Sequence, residues 1–248
     1  MKKNTHKKVK KKIKKKKIKK NTFAIGIPHM GTVRQETSSW LAKICMANPK
    51  IVQIIWRSQQ PVDLNRNGII HDFLKTDKEW LLFLDTDMIP RGNLIGMAKK
   101  GVKIVSGLTT VMQHGTPYPL IMKKAKNRQV CFKMIERSDL VNAKNNLIEV
   151  DGVGTGCLLI HRSVFKKVAP PWFKFNMGPD GMSRLSEDYY FSRKVKRAGY
   201  KLYVDIDQHV GHLKVVNLYE FNKLLAKVVM QKQRSINFIK GKINGVGK

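Results

Sequence analysis

Two carboxylates one residue apart, Asp85 and Asp87, close the run Trp80-Leu81-Leu82-Phe83-Leu84-Asp85-Thr86-Asp87-Met88-Ile89-Pro90. Carboxylate oxygens are hard ligands. A pair of them suits Mg²⁺ or Mn²⁺, which draw the rest of their octahedra from water and from phosphate oxygens such as those of a diphosphate. If strand alternation holds through Asp85-Thr86-Asp87, both acids turn to one side and into one crevice.

Those acids need an element that ends where they begin. Trp80–Leu84 is wholly apolar and too short for a typical helix or a membrane span, so it reads as a buried strand. In open α/β sheets, ligands gather at the carboxyl ends of such strands. The surrounding pattern agrees. Thr22–Pro28 and Ile51–Trp56 read as two further strands. Between them, Trp40/Leu41 and Ile44/Cys45 repeat at helical spacing, and Asn48-Pro49 stops that helix. Ile69/Ile70 and Phe73/Leu74 mark a second helix that carries Arg66, Asn67 and Gly68. Strand, helix, strand, helix, strand predicts an α/β fold with parallel crossovers.

Farther on, Leu94–Lys100 reads as a short helix and Val102–Leu108 as a strand. Short β-like pieces follow at Pro119–Met122, Gln129–Ile135 and Asn146–Val150. A glycine-rich turn, Gly152-Val153-Gly154-Thr155-Gly156, enters the buried strand Cys157–His161. Residues 172–185 form an irregular segment able to act as a lid. Glu187-Asp188 opens a helix behind Ser186 as N-cap, and Gly199 ends it. Lys201–Asp205 reads as a last strand, and a basic amphipathic helix starts near Val216, with Leu218, Phe221, Leu225, Val228 and Ile236 on one face.

Taken together, Asp85-Thr86-Asp87, Glu187-Asp188, Gly211-His212 and the run Gly154–Arg162 resemble the GT-A fold nucleotide-diphospho-sugar glycosyltransferases, family 2-like members with a D-x-D motif. The resemblance spans roughly residues 22–215. It implies a Rossmann-like mixed sheet flanked by helices, and a hexosyltransferase-type enzyme moving a sugar from a nucleotide diphosphate-sugar to an acceptor hydroxyl. By that likeness Asp87 is the direct ligand of Mn²⁺ or Mg²⁺, and Asp85 contacts the metal or the nucleotide ribose. His212 completes the protein ligands, with His209 as its competitor. Asp188 is the general base of an inverting transfer, and Glu187 positions the acceptor or Asp188 itself. Pro28, His29, Arg66, Asn67 and Gly154 fall on the donor side, where Arg66 could fork a phosphate. Trp172 is either a platform for the acceptor sugar or a core residue. Retaining members share the D-x-D and the late histidine, so inversion rests on Asp188 alone.

Composition limits the partners. The formal net charge is +32, and residues 1–20 hold 13 Lys with no acid. Such a tail is expected to be disordered, with residues 21–215 as the transferase-like domain and 216–248 as the basic helix. The excess charge implies anionic partners: nucleotide phosphates, an acidic acceptor, an anionic membrane surface or nucleic acid. The C-terminal helix either packs on the domain or lies on such a membrane. Cys45, Cys131 and Cys157 form no CxxC pair, which favours free thiols in a reducing cytoplasm. Thr22–Pro28 is too short for a signal peptide's apolar region, and no run reaches the length of a membrane span. The acceptor is open among glycan, lipid and protein, and nucleic acid is the least favoured partner.

Two rivals remain. A sugar nucleotidyltransferase would carry a G-x-G-x-R loop after the first strand, where this chain reads Gly26-Ile27-Pro28-His29-Met30-Gly31-Thr32-Val33-Arg34. A basic nucleic-acid or membrane-surface binding protein on an inactive transferase scaffold would bind in a strongly salt-sensitive way.

Overall fold

Short apolar runs become the inner strands of one sheet. The computed structural model describes residues 21–58, 60–113, 116–124, 132–134 and 146–245. Its first half alternates β1 (Phe23–Pro28), α1 (Gln35–Ala47), β2 (Val52–Arg57), α2 (Val62–Lys75) and β3 (Trp80–Leu84). β1 lies between β2 and β3 and pairs in parallel with both. β1 and β3 are buried along their whole length. They show no polar alternation because both faces of the sheet are covered.

The chain then forms β4 (Met88–Pro90), a 3-10 segment (Leu94–Lys100), β5 (Ile104–Gln113), β6 (Thr116–Pro119), β7 (Ile121–Lys124), β8 (Phe132–Met134), β9 (Leu147–Val150), β10 (Gly152–Val153) and β11 (Cys157–His161). It ends with α3 (Ser163–Lys167), β12 (Asn176–Met177), β13 (Ser183–Leu185), α4 (Glu187–Arg197), β14 (Leu202–His212) and α5 (Leu218–Gly245). The main sheet runs β2-β1-β3-β11-β5-β14-β4, with β6 on β5 and β9 on β14. From the pairings, β2, β1, β3, β5 and β14 point one way, whereas β11 and β4 oppose their neighbours. This is a mixed, mostly parallel α/β sheet flanked by helices, a Rossmann-like arrangement.

Alternation divides the core into two layers. Ala24, Leu81 and Phe83 face Ile69, Ile70 and Phe73 of α2 and Phe191 and Val195 of α4. Phe23, Ile25, Ile27, Leu82 and Leu84 face Leu41 of α1 together with Leu94 and Met97 of the 3-10 segment.

Three expectations change. Strand alternation does not carry through the acids: β3 ends at Leu84, the chain turns at Asp85–Asp87, and Met88–Pro90 leaves to pair antiparallel with β14. The last strand does not stop at Asp205 but continues to His212 through a register shift between Asp205 and His209. The segment read as a lid contains the β12–β13 hairpin, and its first aromatics, Trp172 and Phe173, lie in the core. The tail 1–20, Cys131, the strand ends at 129–131 and 135, and the side chains of Val228, Arg234 and Ile236 lie outside the described residues.

Gly107 lets the irregular part of β14 close over β5. A Cβ there would lie 2.9 Å from Val210 Cγ2, 3.0 Å from the Gln208 carbonyl oxygen and 3.1 Å from Cys157 Sγ. The carbonyl belongs to the backbone and yields little. Gly107→Ala is therefore expected to destabilise the protein by about 1–3 kcal/mol. Urea unfolding reads this as a lower midpoint at unchanged slope, and an unmoved midpoint would show that β14 has room to spare.

Candidate functional site

β3 carries its apolar run up to Leu84, and Asp85 is then fixed from across the sheet by its amide, which donates to the Gly156 carbonyl at 3.0 Å. Gly156 stands that close because it lacks a side chain. A Cβ there would meet Met88 Cε and sit 3.1 Å from Asp85 Oδ2. The glycine-rich turn thus lies directly against the acid.

Arg66 comes up from α2, only 4% exposed. Its Nη2 donates to both carboxylate oxygens of Asp85 at 3.2 Å. Its Nη1 donates to Asp188 Oδ1 at 2.9 Å and to Glu187 Oε1. One guanidinium therefore gathers acids from the end of β3 and the first turn of α4. The acids prevail over desolvation of the cation and raise the Arg66 pKa further. Ser186 occupies the extended N-cap position expected of it, but its side chain makes no capping bond and its buried Oγ has no partner among the described residues.

Asp188 also accepts a hydrogen bond from Thr155 Oγ1. Desolvation pushes its carboxyl up to about 7. Arg66 pulls it down, while the charges of Glu187 and Asp85 and a bond from the Thr155 backbone act with lesser weight in opposite senses. Three carboxylates against one guanidinium leave a charge deficit, and a shared proton is one way to reduce it.

Asp87 has different surroundings. Its Oδ2 lies 2.7 Å from Lys214 Nζ and 3.2 Å from His212 Nε2. Burial alone would raise its pKa, but hydrogen bonds and charge from His212 and Lys214 hold it at about 2. The two acids of the D-x-D motif thus do not share one environment, because the turn directs Asp85 to Arg66 and Asp87 to the end of β14. His212 Nδ1 lies 3.0 Å from the Thr110 carbonyl oxygen. A carbonyl can only accept, so Nδ1 carries a proton. His209 is exposed, and among the described residues it is His212 that meets Asp87.

A cleft of about 180 Å³ opens beside the acids, lined by Pro28, His29, Val62, Asn65, Asp85 and Asp87. His29 packs edge-on to Trp56 at 5.8 Å. Asn65 is 2% exposed, and its Oδ1 has no partner among the described residues. Sequence reasoning missed Asn65 and Thr155. The signal for Asn65 was present: residues 65, 66, 69, 70 and 73 fall on one helical face, and three of them are plainly core. Thr155 lay inside the glycine run and was passed over as part of a turn.

Other residues singled out in the sequence go elsewhere. Asn67 Oδ1 accepts from the Trp172 and Phe173 amides at 2.9 and 3.1 Å, and its Nδ2 donates to the Phe173 carbonyl at 2.8 Å. It ties this segment to α2. Trp172 is the core alternative: its Nε1 donates to Val168 O at 2.6 Å, and its ring packs on His71 and Phe165. No face remains for a sugar. A Cβ at Gly154 would run into Leu120 and lie 4.0 Å from Asp188 Oδ2, so Gly154 adjoins the α4 acids. Cys157 is buried, and desolvation pushes its thiol up to about 12, too high for a nucleophile.

No protein-family model and no curated protein matches the chain. Among solved structures, A197 from STIV superposes with a TM-score of 0.53 at 20% identity, over 78% of this chain and 86% of that one. A glycosyltransferase involved in the glycosylation of the major capsid of PBCV-1 aligns over 83% of this chain and 99% of that one, at 11% identity and a TM-score of 0.35. The first is a likeness of fold; the second is too loose a superposition to bear on function.

If Arg66 holds the site together, Arg66→Ala leaves three acids around a hole where their counter-ion stood. The expected loss is about 3–5 kcal/mol of stability. Chemical denaturation measures it, and a loss near that of an exposed ion pair, about 1 kcal/mol or less, would contradict the arrangement.

Proposed function

We propose that this chain is a glycosyltransferase that moves a sugar from a nucleotide diphosphate-sugar to an acceptor hydroxyl, with inversion, on a GT-A-like domain spanning residues 21–215. Residues 1–20 and 216–248 are appendages to it. The observation that carries the reading is the meeting at Arg66 of Asp85 with Glu187 and Asp188. Acids from a strand end and from a distant helix start thereby share one crevice, at the carboxyl end of β3, beside a cleft.

In this reading the nucleoside enters between Pro28, His29 and Asn65, and the buried Asn65 Oδ1 accepts a hydrogen bond from it. The diphosphate extends toward Asp87, His212 and Lys214, whose ammonium offsets its charge. Asp188 takes the proton of the acceptor hydroxyl as that oxygen bonds to the anomeric carbon and the bond to the diphosphate oxygen breaks. A base near pH 7 both accepts a proton readily and stays available at neutral pH. Arg66 and Glu187 hold Asp188 in position.

The residues around Asp87 fit a divalent cation of the kind that depends on substrate. Among the described residues no three His, Cys, Asp or Glu side chains cluster as a metal site, and Mg²⁺ commonly takes one or two carboxylates and fills its shell from phosphates and water. His212 has its Nδ1 fixed on the Thr110 carbonyl, the kind of hydrogen bond that orients a ligating histidine. Asp87 and His212 would hold Mn²⁺ or Mg²⁺, which when bound supplies Lewis-acid stabilisation to the departing diphosphate.

Binding can be tested before the acceptor is known. In a thermal-shift panel of nucleoside diphosphates with and without Mn²⁺, one nucleotide should stabilise the wild type by about 2.7 kcal/mol at 100 times its dissociation constant, and Asp87→Ala should lose that gain. No shift with any nucleotide would sink the donor site.

Catalysis has its own signature. Asp188 works as a base only when deprotonated, so kcat/KM should rise with pH through about 7 and level off above it. Asp188→Asn should lower turnover by about 10²–10⁴-fold and abolish that limb. A flat profile across this range, read from release of nucleoside diphosphate, would remove Asp188 from the mechanism.

A further inference from the structure

α5 leaves the domain at Asn217 with its apolar side uncovered. Leu218, Leu225 and Val229 are 73%, 46% and 65% exposed, and Phe221 is exposed with them. Their spacing of three and four residues sets them on one face, whereas Lys223 and Lys227 fall on the opposite face. Of the two expectations for this helix, packing on the domain therefore fails for this stripe. The stripe runs at its start into an open groove lined by Met112, Val215, Val216, Phe221 and Leu224, next to Lys214.

We propose that α5 docks the protein on the surface of an anionic bilayer, lying in the interface with Leu218, Phe221, Leu225 and Val229 toward the acyl chains. Charge selects this occupant. From Lys214 to the last residue the sequence holds eight Lys or Arg against one acid, Glu220. An apolar stripe with a cationic polar face is the design of interfacial helices, and each cation near an anionic leaflet adds attraction. A second copy is disfavoured because pairing would bring together two chains of net charge +32. Crossing the membrane is not the alternative: among the described residues no helix is long and apolar enough to span one. Burying side chains of this size in the acyl boundary gives binding that survives salt, which purely electrostatic adhesion does not. Docking here also turns the groove beside Lys214, and with it the Asp87 side of the crevice, toward the membrane. The inference stands apart from the transferase reading.

The test is co-sedimentation of the full chain with vesicles of phosphatidylcholine alone, or of phosphatidylcholine with about one-third phosphatidylserine. Wild type is compared with the double variant Leu225→Glu/Val229→Glu. Both positions are exposed, so the variant should keep the wild-type melting temperature. Wild type should bind the anionic vesicles and remain bound at about 0.5 M salt, where surface charges are screened. The double variant should bind at least about a hundredfold more weakly and wash off at that salt. Equal binding of the two proteins would overturn the proposal, as would equal binding to neutral vesicles or none to anionic ones. A concentration-dependent dimer in vesicle-free solution that the double substitution abolishes would assign the stripe to a second copy instead.

Discussion

Arg66 is the fixed point of the structure. Its two terminal nitrogens are shared among three carboxylates from two regions far apart in sequence. Its buried Nε has no partner among the described residues. Stability alone does not call for such a cluster. A buried ion pair gains little over apolar residues of the same volume, because desolvation of each charge offsets most of the attraction. The charges do not balance either, with one cation against three acids. The cluster therefore tolerates a proton on Asp188, which a hydrophobic triad could not offer. That is the property the proposed transfer would use.

The sheet supplies the access. Had β11 run parallel to β3, its first residue would lie at the amino end of β3, away from the acids. Because it runs antiparallel between β3 and β5, the glycine turn at 152–156 enters at the carboxyl end of β3. There Thr155 meets Asp188 and Gly156 meets Asp85. A Cβ at 154 or 156 would displace the side-chain ends of Leu120 or Met88, and neither glycine has a positive φ.

The local parts of this design were legible in the sequence. Trp80–Leu84 had to be a buried strand, and the helical spacing of Ile69, Ile70 and Phe73 fixed the inner face of α2. What could not be read were the partners. Arg66 looked like a phosphate ligand because residue type says what a guanidinium can bind but not which anion reaches it first; here the acids do, from 19, 121 and 122 positions away. Strand alternation suggested a common side for Asp85 and Asp87, yet a hydrogen bond from the Met88 amide to the Asp85 carbonyl turns the chain between them. β14 was cut short because Ile206–Gly211 lacks an apolar run. Its later residues need none, since they pair only with the three residues of β4 and with the far end of β5. Trp172 was ambiguous for a similar reason, as its burial depends on Asn67 holding its amide from another element.

The crevice consequently has two sides of different character. The Asp188 side is closed by core: Phe173 lies under Arg66 and stacks on Phe191, so the acids there sit on packed aromatics. The Asp87 side is held by His212, the last residue of β14, and by the half-exposed Lys214 in the segment leading to α5. Local openings cost least where few apolar contacts are lost. Motion in the crevice should therefore occur at Asp87 and Lys214 before it reaches Asp188. In the proposed transfer, a group that admits and releases a charged ligand benefits from that looseness, whereas a base that must meet one hydroxyl within hydrogen-bonding distance does not. The roles proposed for Asp87 and Asp188 agree with what each is packed against.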